Sequence, residues 1–140
     1  MLVTCKMTTL SGEQITALGG SVHQQVFDVT GGGTYLVLGL TVYVASRIYG
    51  SGVYVEIEDD SGHVVSAPLF LFEIVDGRPS QYWTSRFWDD GSFAFWPPSF
   101  FNDCYHDRLS ESVPDVRRDY ESVRAQLREE AGMLQVTQVQ

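Results

Sequence analysis

The chain has 140 residues, of which 44% are hydrophobic and 19% are charged, and its formal net charge is −9. This composition excludes a disordered chain, and the acidic charge argues against nucleic acid and against an anionic membrane surface as partners. The length fits one domain over residues 1–140, with enough apolar residues to form a core without disulfides or metal.

The first third of the chain predicts strands separated by turns. Residues 2–7 form a candidate first strand, and residues 11–20 a connection with at most one helical turn. Alternating apolar and polar residues predict a second strand at 22–29. Residues 35–44 are β-branched or aromatic almost throughout, so we expect one strand that is covered on both faces and central in its sheet. Gly39 within it indicates a bulge or the close approach of another element.

The next segment predicts a hairpin with one dry face and one acidic face. Val53, Val55 and Ile57 alternate with Tyr54, Glu56 and Glu58. Because strand side chains alternate between faces, the second set is expected on the solvent side. Residues 59–62, Asp-Asp-Ser-Gly, supply the turn. The return strand over residues 63–67 meets Pro68, which cannot donate to a ladder and therefore indicates an edge strand or a bulge.

Two further turns follow in the aromatic part of the chain. An extended segment is expected over residues 69–75, up to the turn at Asp76-Gly77. Residues 82–88 and 92–96 flank the sequence Asp89-Asp90-Gly91 and predict another hairpin.

One long helix is expected, in the C-terminal part. Ser112 and Asp115 have the spacing of a capping box, Pro114 fits the first turn, and Gly132 predicts the end. The apolar stripe at helical spacing consists of Val116, Tyr120, Val123 and Leu127. We therefore expect an α+β fold in which an antiparallel sheet of about five to seven strands carries helix 113–131 on one face. Within this stripe, Tyr120 and Leu127 are the predicted structural residues.

The sequence contains no arrangement that is typical of catalysis, of a cofactor site or of a metal site. The glycines at 31–33 open onto a strand and lack the Gly-Lys-Ser/Thr ending of a phosphate loop. The three histidines do not fall at metal-ligand spacings. Cys104 and His106 lie two residues apart in the polar segment 103–107, where we expect a loop rather than a nucleophile pair. We therefore predict no catalytic residues, no metal and no cofactor.

The remaining signals indicate a contact surface. Most of the aromatic residues, including all three tryptophans, lie between Phe70 and Tyr105, and such rings suit both cores and interfaces. Acidic residues are frequent between Arg47 and Arg78, where no other Lys or Arg occurs. We predict a partner-binding surface made of the acidic strand face, its turn and exposed rings of the next hairpin. Its candidate residues are Tyr54, Glu56, Glu58, Asp59, Asp60, Tyr82, Trp83 and Trp88.

Arg78 follows an Asp-Gly turn in this acidic region. Its planar guanidinium group suits bidentate contact with a carboxylate. We expect an internal salt bridge to Glu73, Asp89 or Asp90 that pins the aromatic segment, which would make Arg78 a structural residue. A solvated side chain is the alternative.

Compartment signals are few. The first ten residues lack the basic and apolar regions of a signal peptide, and no apolar run approaches the length of a membrane span. We therefore expect a cytoplasmic location. Cys5 and Cys104 fit a reducing compartment as ordinary buried thiols, with a disulfide between them as the alternative.

A set of residues in the middle of the chain follows a layout found in other proteins. These residues are Pro68-Leu69-Phe70, Phe72 to Arg78, Ser80 and Tyr82-Trp83, followed by Phe93-Ala94-Phe95, Asp103, Tyr105 and Asp107-Arg108-Leu109. In this layout, which covers roughly residues 35–130, the chain resembles small bacterial proteins of the immunity-protein type, which neutralise polymorphic toxins. The layout has no catalytic signature, and no functional residue is carried over from it.

The leading hypothesis is an immunity-type or inhibitor protein that binds a protein partner stoichiometrically. A basic toxin or enzyme is the expected partner, because opposite charges accelerate encounter. The alternative is a small ligand-binding or catalytic domain with an aromatic-lined pocket. A third hypothesis is an assembly protein whose aromatic region forms an oligomer seam.

Overall fold

A computed structural model describes residues 1–19, 26–46 and 50–133. Within these ranges, eight strands form two antiparallel sheets, accompanied by three α-helices. The strands are β1 (Leu2–Cys5), β2 (Thr34–Leu36), β3 (Gly39–Ser46), β4 (Gly50–Glu58), β5 (Val64–Pro68), β6 (Phe72–Asp76), β7 (Thr84–Phe87) and β8 (Phe93–Trp96). The helices are α1 (Gly12–Ala17), α2 (Tyr105–Ser110) and α3 (Pro114–Glu130).

The strand order is β2-β1-β6 in the smaller sheet and β5-β4-β3-β8-β7 in the larger one. The predicted α+β class, the antiparallel pairing and the C-terminal helix are confirmed. The larger sheet has a strand count within the expected range, and three further strands make up the second sheet.

Residues 35–44 form two strands rather than the single strand predicted. β2 lies at the edge of the smaller sheet, whereas β3 lies in the centre of the larger one. Between them, the Val37 amide donates to the Met1 carbonyl over 3.0 Å, and the Leu38 amide donates to the Glu56 carbonyl over 2.7 Å. Val37 and Leu38 are each 1% exposed. The apolar run is continuous because the chain stays buried while it crosses from one sheet to the other.

Two apolar clusters form the core. The first joins the two sheets and includes Val3, Tyr35, Val55, Ile57 and Phe72. The second lies under the helices and includes Leu36, Tyr105, Leu109, Tyr120 and Leu127. The neighbours Tyr35 and Leu36 fall in different clusters because successive strand residues point to opposite faces of the sheet.

The predicted stripe of α3 is confirmed. Tyr120 and Leu127 are each 1% exposed, and the other two stripe residues are partly buried in the same cluster. Gly132 has a φ of 73°, its amide donates to the Glu129 carbonyl, and the Met133 amide donates to the Arg128 carbonyl. This pair of bonds is a Schellman motif, in which a left-handed residue closes the helix.

The prediction of a capping box at the start of α3 is wrong. Val113 occupies the N-cap without a side-chain hydrogen bond, and Ser112 belongs to the end of α2. Ser112 has a φ of 58°, and its amide donates to the Leu109 carbonyl. The loop expected at residues 103–107 is partly helical, because α2 begins at Tyr105. α2 buries Tyr105 and Leu109 in the second cluster.

Ser112→Gly is expected to raise the free energy of unfolding by about 1 kcal/mol, because left-handed backbone costs a residue with a Cβ but not glycine. Urea denaturation followed by circular dichroism measures the change. Ser110→Gly, at the last helical residue of α2, is the matched control and should lower stability. Loss of stability in Ser112→Gly would show that the serine side chain outweighs its backbone cost.

The turns predicted at residues 59–62 and 89–91 are confirmed, whereas the one expected at Asp76-Gly77 is not formed, because irregular chain follows the end of β6 there. Asp59 accepts hydrogen bonds from two backbone amides of the β4–β5 turn, where Gly62 has a φ of 83°. Asp90 accepts one from a backbone amide of the β7–β8 turn, where Gly91 has a φ of 90°. Pro68 ends β5, which is an edge strand as expected.

Three local segments differ in detail from their predictions. A 3-10 turn, Leu69–Leu71, replaces the start of the extended segment and leads the chain from the larger sheet to β6 in the smaller one. α1 exceeds the single turn expected and begins with a capping box between Ser11 and Gln14, an S-x-x-Q signal visible in the sequence. Half of the predicted strand at 22–29, residues 22–25, lies outside the described residues, and residues 26–29 do not form a strand. In its described part, Val26 forms an isolated bridge with Thr9.

Candidate functional site

The predicted acidic face of β4 does not face solvent. β4 lies between β3 and β5, and residues of α2 and α3 contact the face that carries Glu56 and Glu58. Tyr54 is 2% exposed and Glu56 is 7% exposed. Glu58 is half-buried under α3, to which it is bonded. The prediction of Tyr54, Glu56 and Glu58 as an exposed contact face is therefore wrong, because the helices and the neighbouring chain cover them.

Glu58 attaches α3 to the larger sheet. Arg124 Nη1 lies 2.8 Å from Glu58 Oε2 and 3.1 Å from Oε1, and the Tyr120 hydroxyl donates to Oε2. Burial alone would raise the pKa of Glu58, but the Tyr120 hydrogen bond and the Arg124 charge outweigh burial and lower it. Burial and the bond to Glu58 raise the pKa of Tyr120. The negative charge of Glu58 is thus balanced within the fold by the positive charge of Arg124.

Glu56 makes the corresponding contact with α2. Its Oε2 lies 3.2 Å from Nε2 of His106. Rings of Trp96, Phe100 and Tyr105 surround the imidazole, with ring centroids at 5.9, 5.3 and 5.7 Å. Burial lowers the pKa of His106, but the hydrogen bond and charge of Glu56 outweigh burial, so the pKa is raised.

The Glu56–His106 pair should make stability depend on pH. The pKa of His106 is higher in the folded protein than in the unfolded chain, where it is about 6.5. Its contribution is therefore complete below about pH 6.5 and is lost as the pH rises through the folded pKa. The stability difference between wild type and His106→Gln should shrink over that rise, as measured by urea denaturation at each pH.

The control for this prediction is His63→Gln, which removes a mostly exposed imidazole from the β4–β5 turn. A stability difference for His106→Gln that stays constant or grows with pH would contradict the role of the pair.

Asp59 and Asp60 serve the β4–β5 turn. The Asp59 side chain is 8% exposed and accepts the turn amides. Asp60 is exposed but accepts hydrogen bonds from the Thr30 hydroxyl and the Tyr35 hydroxyl, each over 2.6 Å. These two bonds lower the pKa of Asp60. Both carboxylates therefore have internal bonding roles.

The β4–β5 turn and Trp88 lie at opposite ends of the larger sheet. Gly39 pairs with Glu56, close to the β4–β5 turn, whereas Val42 pairs with Phe93, close to the β7–β8 turn. The two turns therefore extend beyond opposite ends of β3. Trp88 therefore does not adjoin the acidic turn, whereas Tyr82 and Trp83 precede Thr84, which pairs with Trp96 at the same end of the sheet as that turn.

The predicted aromatic contacts divide into exposed and structural rings. Tyr82 is 38% exposed and Trp88 is 37% exposed. Trp83 is partly buried against the first cluster, and its Nε1 donates to the Leu38 carbonyl over 2.9 Å. Tyr82 and Trp88 thus remain accessible to a partner. Trp83 instead bonds its loop to Leu38, in the segment that connects β2 with β3.

Arg78 bonds to Asp76, the last residue of β6, rather than to the predicted partners. Its Nε and Nη2 lie 2.9 and 2.6 Å from the two carboxylate oxygens of Asp76. The Arg78 side chain is 78% exposed. The expected salt bridge to Glu73, Asp89 or Asp90 is therefore wrong, because the bidentate geometry is satisfied two residues away.

The β7–β8 hairpin carries an exposed aromatic surface. We call Phe87, Trp88, Phe93 and Phe95 together the aromatic hairpin; these rings lie outside both apolar clusters. Phe87 is 69% exposed, and its ring centroid lies 5.4 Å from that of Phe93, which lies 5.9 Å from Phe95. Because Phe87 pairs with Phe93, and Phe95 follows Phe93 by two residues in the same strand, these three phenylalanines share one sheet face.

The opposite face of the same hairpin is also aromatic. The Trp88 and Trp96 ring centroids are 5.9 Å apart, and Trp96 stacks on Phe101 at 4.7 Å. The Arg86 guanidinium carbon lies 5.8 Å from the Trp88 ring and 5.9 Å from the Phe101 ring. The guanidinium group of Arg86 therefore lies within cation–π distance of both rings.

A polar cleft lies at the other end of the larger sheet. It has a volume of about 430 Å³ and lies between the β4–β5 turn and the α2–α3 connection. Its walls include Glu58, His63, His106, Ser110 and Arg117. Because polar side chains dominate this lining, the cleft differs from the aromatic-lined pocket that the sequence offered as an alternative.

Reactive groups are dispersed. Cys5 is a buried free thiol, whereas Cys104 is an exposed free thiol, contrary to the expectation of burial for both. In the described ranges, no group of three or more His, Cys, Asp and Glu side chains is placed to hold a metal ion.

Comparison with known proteins gives no match: neither a family model, nor a curated protein, nor a solved structure is similar to this chain. The resemblance to immunity proteins therefore stays a prediction. For the part of the chain that the structure describes, no helix combines the length and apolar character needed to cross a membrane.

Proposed function

We propose that this chain is an immunity-type or inhibitor protein that binds a protein partner stoichiometrically through the aromatic hairpin. The observation that carries the proposal is the exposure of Phe87, at 69%, beside partly exposed Phe93 and Phe95. Contiguous exposed apolar side chains commonly mark interaction sites, and large rings dominate the binding energy of protein interfaces.

The charge of the chain supports a basic partner, such as a toxin or another enzyme. The net charge is −9, and Asp89 and Asp90 are exposed at the tip of the aromatic hairpin. Opposite charges near a contact surface mainly increase the association rate. Binding over the active site of a basic enzyme would exclude its substrate.

Phe87→Ala should accelerate dissociation of the complex by about 30-fold or more, which corresponds to an anchor residue worth about 2 kcal/mol. The partner is recovered by co-purification from the native host and identified by mass spectrometry, and dissociation is then followed by surface plasmon resonance. Phe70→Ala, which removes an exposed ring outside the hairpin, is the matched control and should dissociate like wild type. Equal dissociation rates for both variants would place the interface elsewhere.

Asp89→Lys tests the electrostatic part of the same interface. It should slow association with a basic partner at low salt, and the difference should diminish as salt increases. Glu111→Lys makes the same charge change beside the polar cleft, at the opposite end of the sheet, and should have the smaller effect. Equal effects of the two variants on the association rate would show that the net charge of the whole molecule, and not the hairpin tip, accelerates association.

A small-molecule role is the second candidate, because the polar cleft has a volume of about 430 Å³. A thermal-shift screen with sugars, nucleotides and acyl compounds tests this candidate. Stabilisation by one compound, lost in Arg117→Gln while the variant remains folded, would favour ligand binding over the inhibitor function.

A further inference from the structure

In the described ranges, the two sheets have four edges, and three of them carry features that hinder pairing with another strand. β5 contains Pro68, β2 has three residues, and β6 has a shift of register opposite Leu2 and Val3. Proline, short edges and bulges are the usual means by which proteins protect sheet edges. β7 instead pairs with β8 in an unbroken register, and all four of its residues are exposed.

The hydrogen-bonding direction along β7 follows from the end of its hairpin. The Trp88 amide donates to the Ser92 carbonyl over 2.9 Å, so the backbone of Trp88 points towards β8. Backbone groups alternate in direction along an antiparallel strand, so those of Arg86 also point towards β8. The amides and carbonyls of Ser85 and Phe87 therefore point away from the sheet, where no other described strand pairs with them.

Each face beside this open edge offers an aromatic contact. Phe87 lies on one face with Phe93, and Trp88 lies on the other with Trp96. A strand added along β7 would alternate its own side chains between the same two faces. One set would contact Phe87, and the other set would contact Trp88. Backbone pairing and side-chain contact would thus act together.

Acidic groups lie near both ends of the open edge. Asp89 and Asp90 form the hairpin tip, and the Glu130 carboxylate accepts a hydrogen bond from the Gln81 amide, three residues before β7, over 2.9 Å. The positive charge of Arg86 is directed over Trp88 and Phe101. Together with the net charge of −9, this arrangement is complementary to a basic strand.

A second copy of the chain fits this edge less well. A two-fold pairing in which Ser85 bonds to the other copy's Phe87 would place the two Arg86 residues directly opposite each other. Like charges in that position are destabilising, and both copies carry the same acidic charge.

We infer that the partner adds an extended, basic segment to β7, which pairs with the outward backbone groups of Ser85 and Phe87 and contacts rings on both faces. This inference rests on the proposed function and specifies its mode of binding. The segment has apolar side chains at alternate positions and Lys or Arg near its ends.

The test uses a short synthetic peptide, in which Val and Phe alternate with Thr and the ends carry Lys, added to the ¹⁵N-labelled protein. Amide hydrogen exchange is read by NMR. Exchange should slow by about tenfold or more at Ser85 and Phe87, since these amides gain hydrogen bonds, and change little at Arg86, whose amide already points to β8. The same peptide with Glu in place of Lys should protect these amides less.

Ser85→Pro removes one outward donor and should abolish the protection at Phe87, whereas Ser85→Ala keeps that donor and should preserve it. Proline is tolerated in an edge strand where its missing N–H faces solvent. The amides of β8 in the Ser85→Pro spectrum verify that the hairpin remains folded. Protection that persists in Ser85→Pro would overturn the inference.

Absence of protection at Ser85 and Phe87 with either peptide would also overturn strand addition. Protection that appears without peptide as the protein concentration rises would show that a second copy of the chain, rather than a basic segment, adds to β7. Neither result decides the proposed function, which depends on the dissociation rates of the Phe87→Ala and Phe70→Ala variants.

Discussion

Tyr120→Ala is expected to lower the free energy of unfolding by about 3–5 kcal/mol, as for other buried aromatic residues truncated to alanine. The Tyr120 side chain extends from α3 into the second apolar cluster and is 1% exposed. Its ring stacks with Phe100 at a centroid distance of 6.5 Å, and its hydroxyl donates to Glu58. The substitution therefore leaves a cavity and also removes a donor from a half-buried carboxylate.

Tyr120→Phe separates these two effects because it keeps the ring and removes the hydroxyl. We expect a loss of about 1–2 kcal/mol, since Glu58 retains its ion pair with Arg124. Urea denaturation gives both values, and Leu127→Ala provides an independent measure at another buried position of α3. An unchanged midpoint for Tyr120→Ala would mean that α3 is not docked on the sheet.

Gly39→Ala should lower stability by about 3 kcal/mol, because the new methyl group has no room. A Cβ at residue 39 would lie 2.5 Å from Cδ1 of Trp96. The indole cannot easily retreat, because it stacks on Phe101 and its Nε1 donates to the Thr41 hydroxyl over 3.0 Å. The close approach indicated by the sequence at Gly39 is thus confirmed, and Trp96 is the element that approaches.

Gly12→Ala is the matched control for this substitution. A Cβ at residue 12 meets no atom within 4 Å, and alanine favours the first turn of α1, so stability should rise by up to about 1 kcal/mol. In a Trp96→Leu background, Gly39→Ala should cost less than in wild type, since the clashing ring is absent. An equal cost in both backgrounds would show that Trp96 is not the obstacle.

Local signals predicted the turns and the long helix. An Asp-Gly turn depends on residues that are neighbours in the chain, and the stripe of α3 depends on spacing within one helix. The same logic could have found α1 through Ser11 and Gln14. α2 gave no such signal, because Cys104 occupies its N-cap in left-handed backbone without a side-chain bond. Its six residues are too few for a clear stripe.

Long-range packing explains the main errors. Alternation in β4 correctly separates Glu56 and Glu58 from Val55 and Ile57, but alternation cannot tell which face water reaches. The partners that make burial of the two carboxylates tolerable, His106 and Arg124, are 50 and 66 residues away. Likewise, the apolar character of residues 35–44 does not reveal that the chain changes sheets midway.

The exposed hairpin was predicted in part. The sequence located the β7–β8 turn and selected Tyr82 and Trp88, which remain accessible. It did not single out Phe87, because an alternating strand of aromatic residues is equally typical of a core. Only the absence of a described layer over that end of the larger sheet distinguishes the aromatic hairpin from the interior.

The position of β1 has a consequence for the timing of folding. Val3 lies in the middle of the smaller sheet, where it pairs with Tyr35 and with Ile74. On the ribosome, β2 is made about 30 residues after β1, and β6 only about 70 residues after it. The meander β3–β4–β5 needs only short turns and can form early, whereas β1 must wait for β6. Because such distant pairings fold slowly, the nascent chain keeps one side of β1 unpaired until β6 has been made, and during that time β1 is exposed to misfolding contacts.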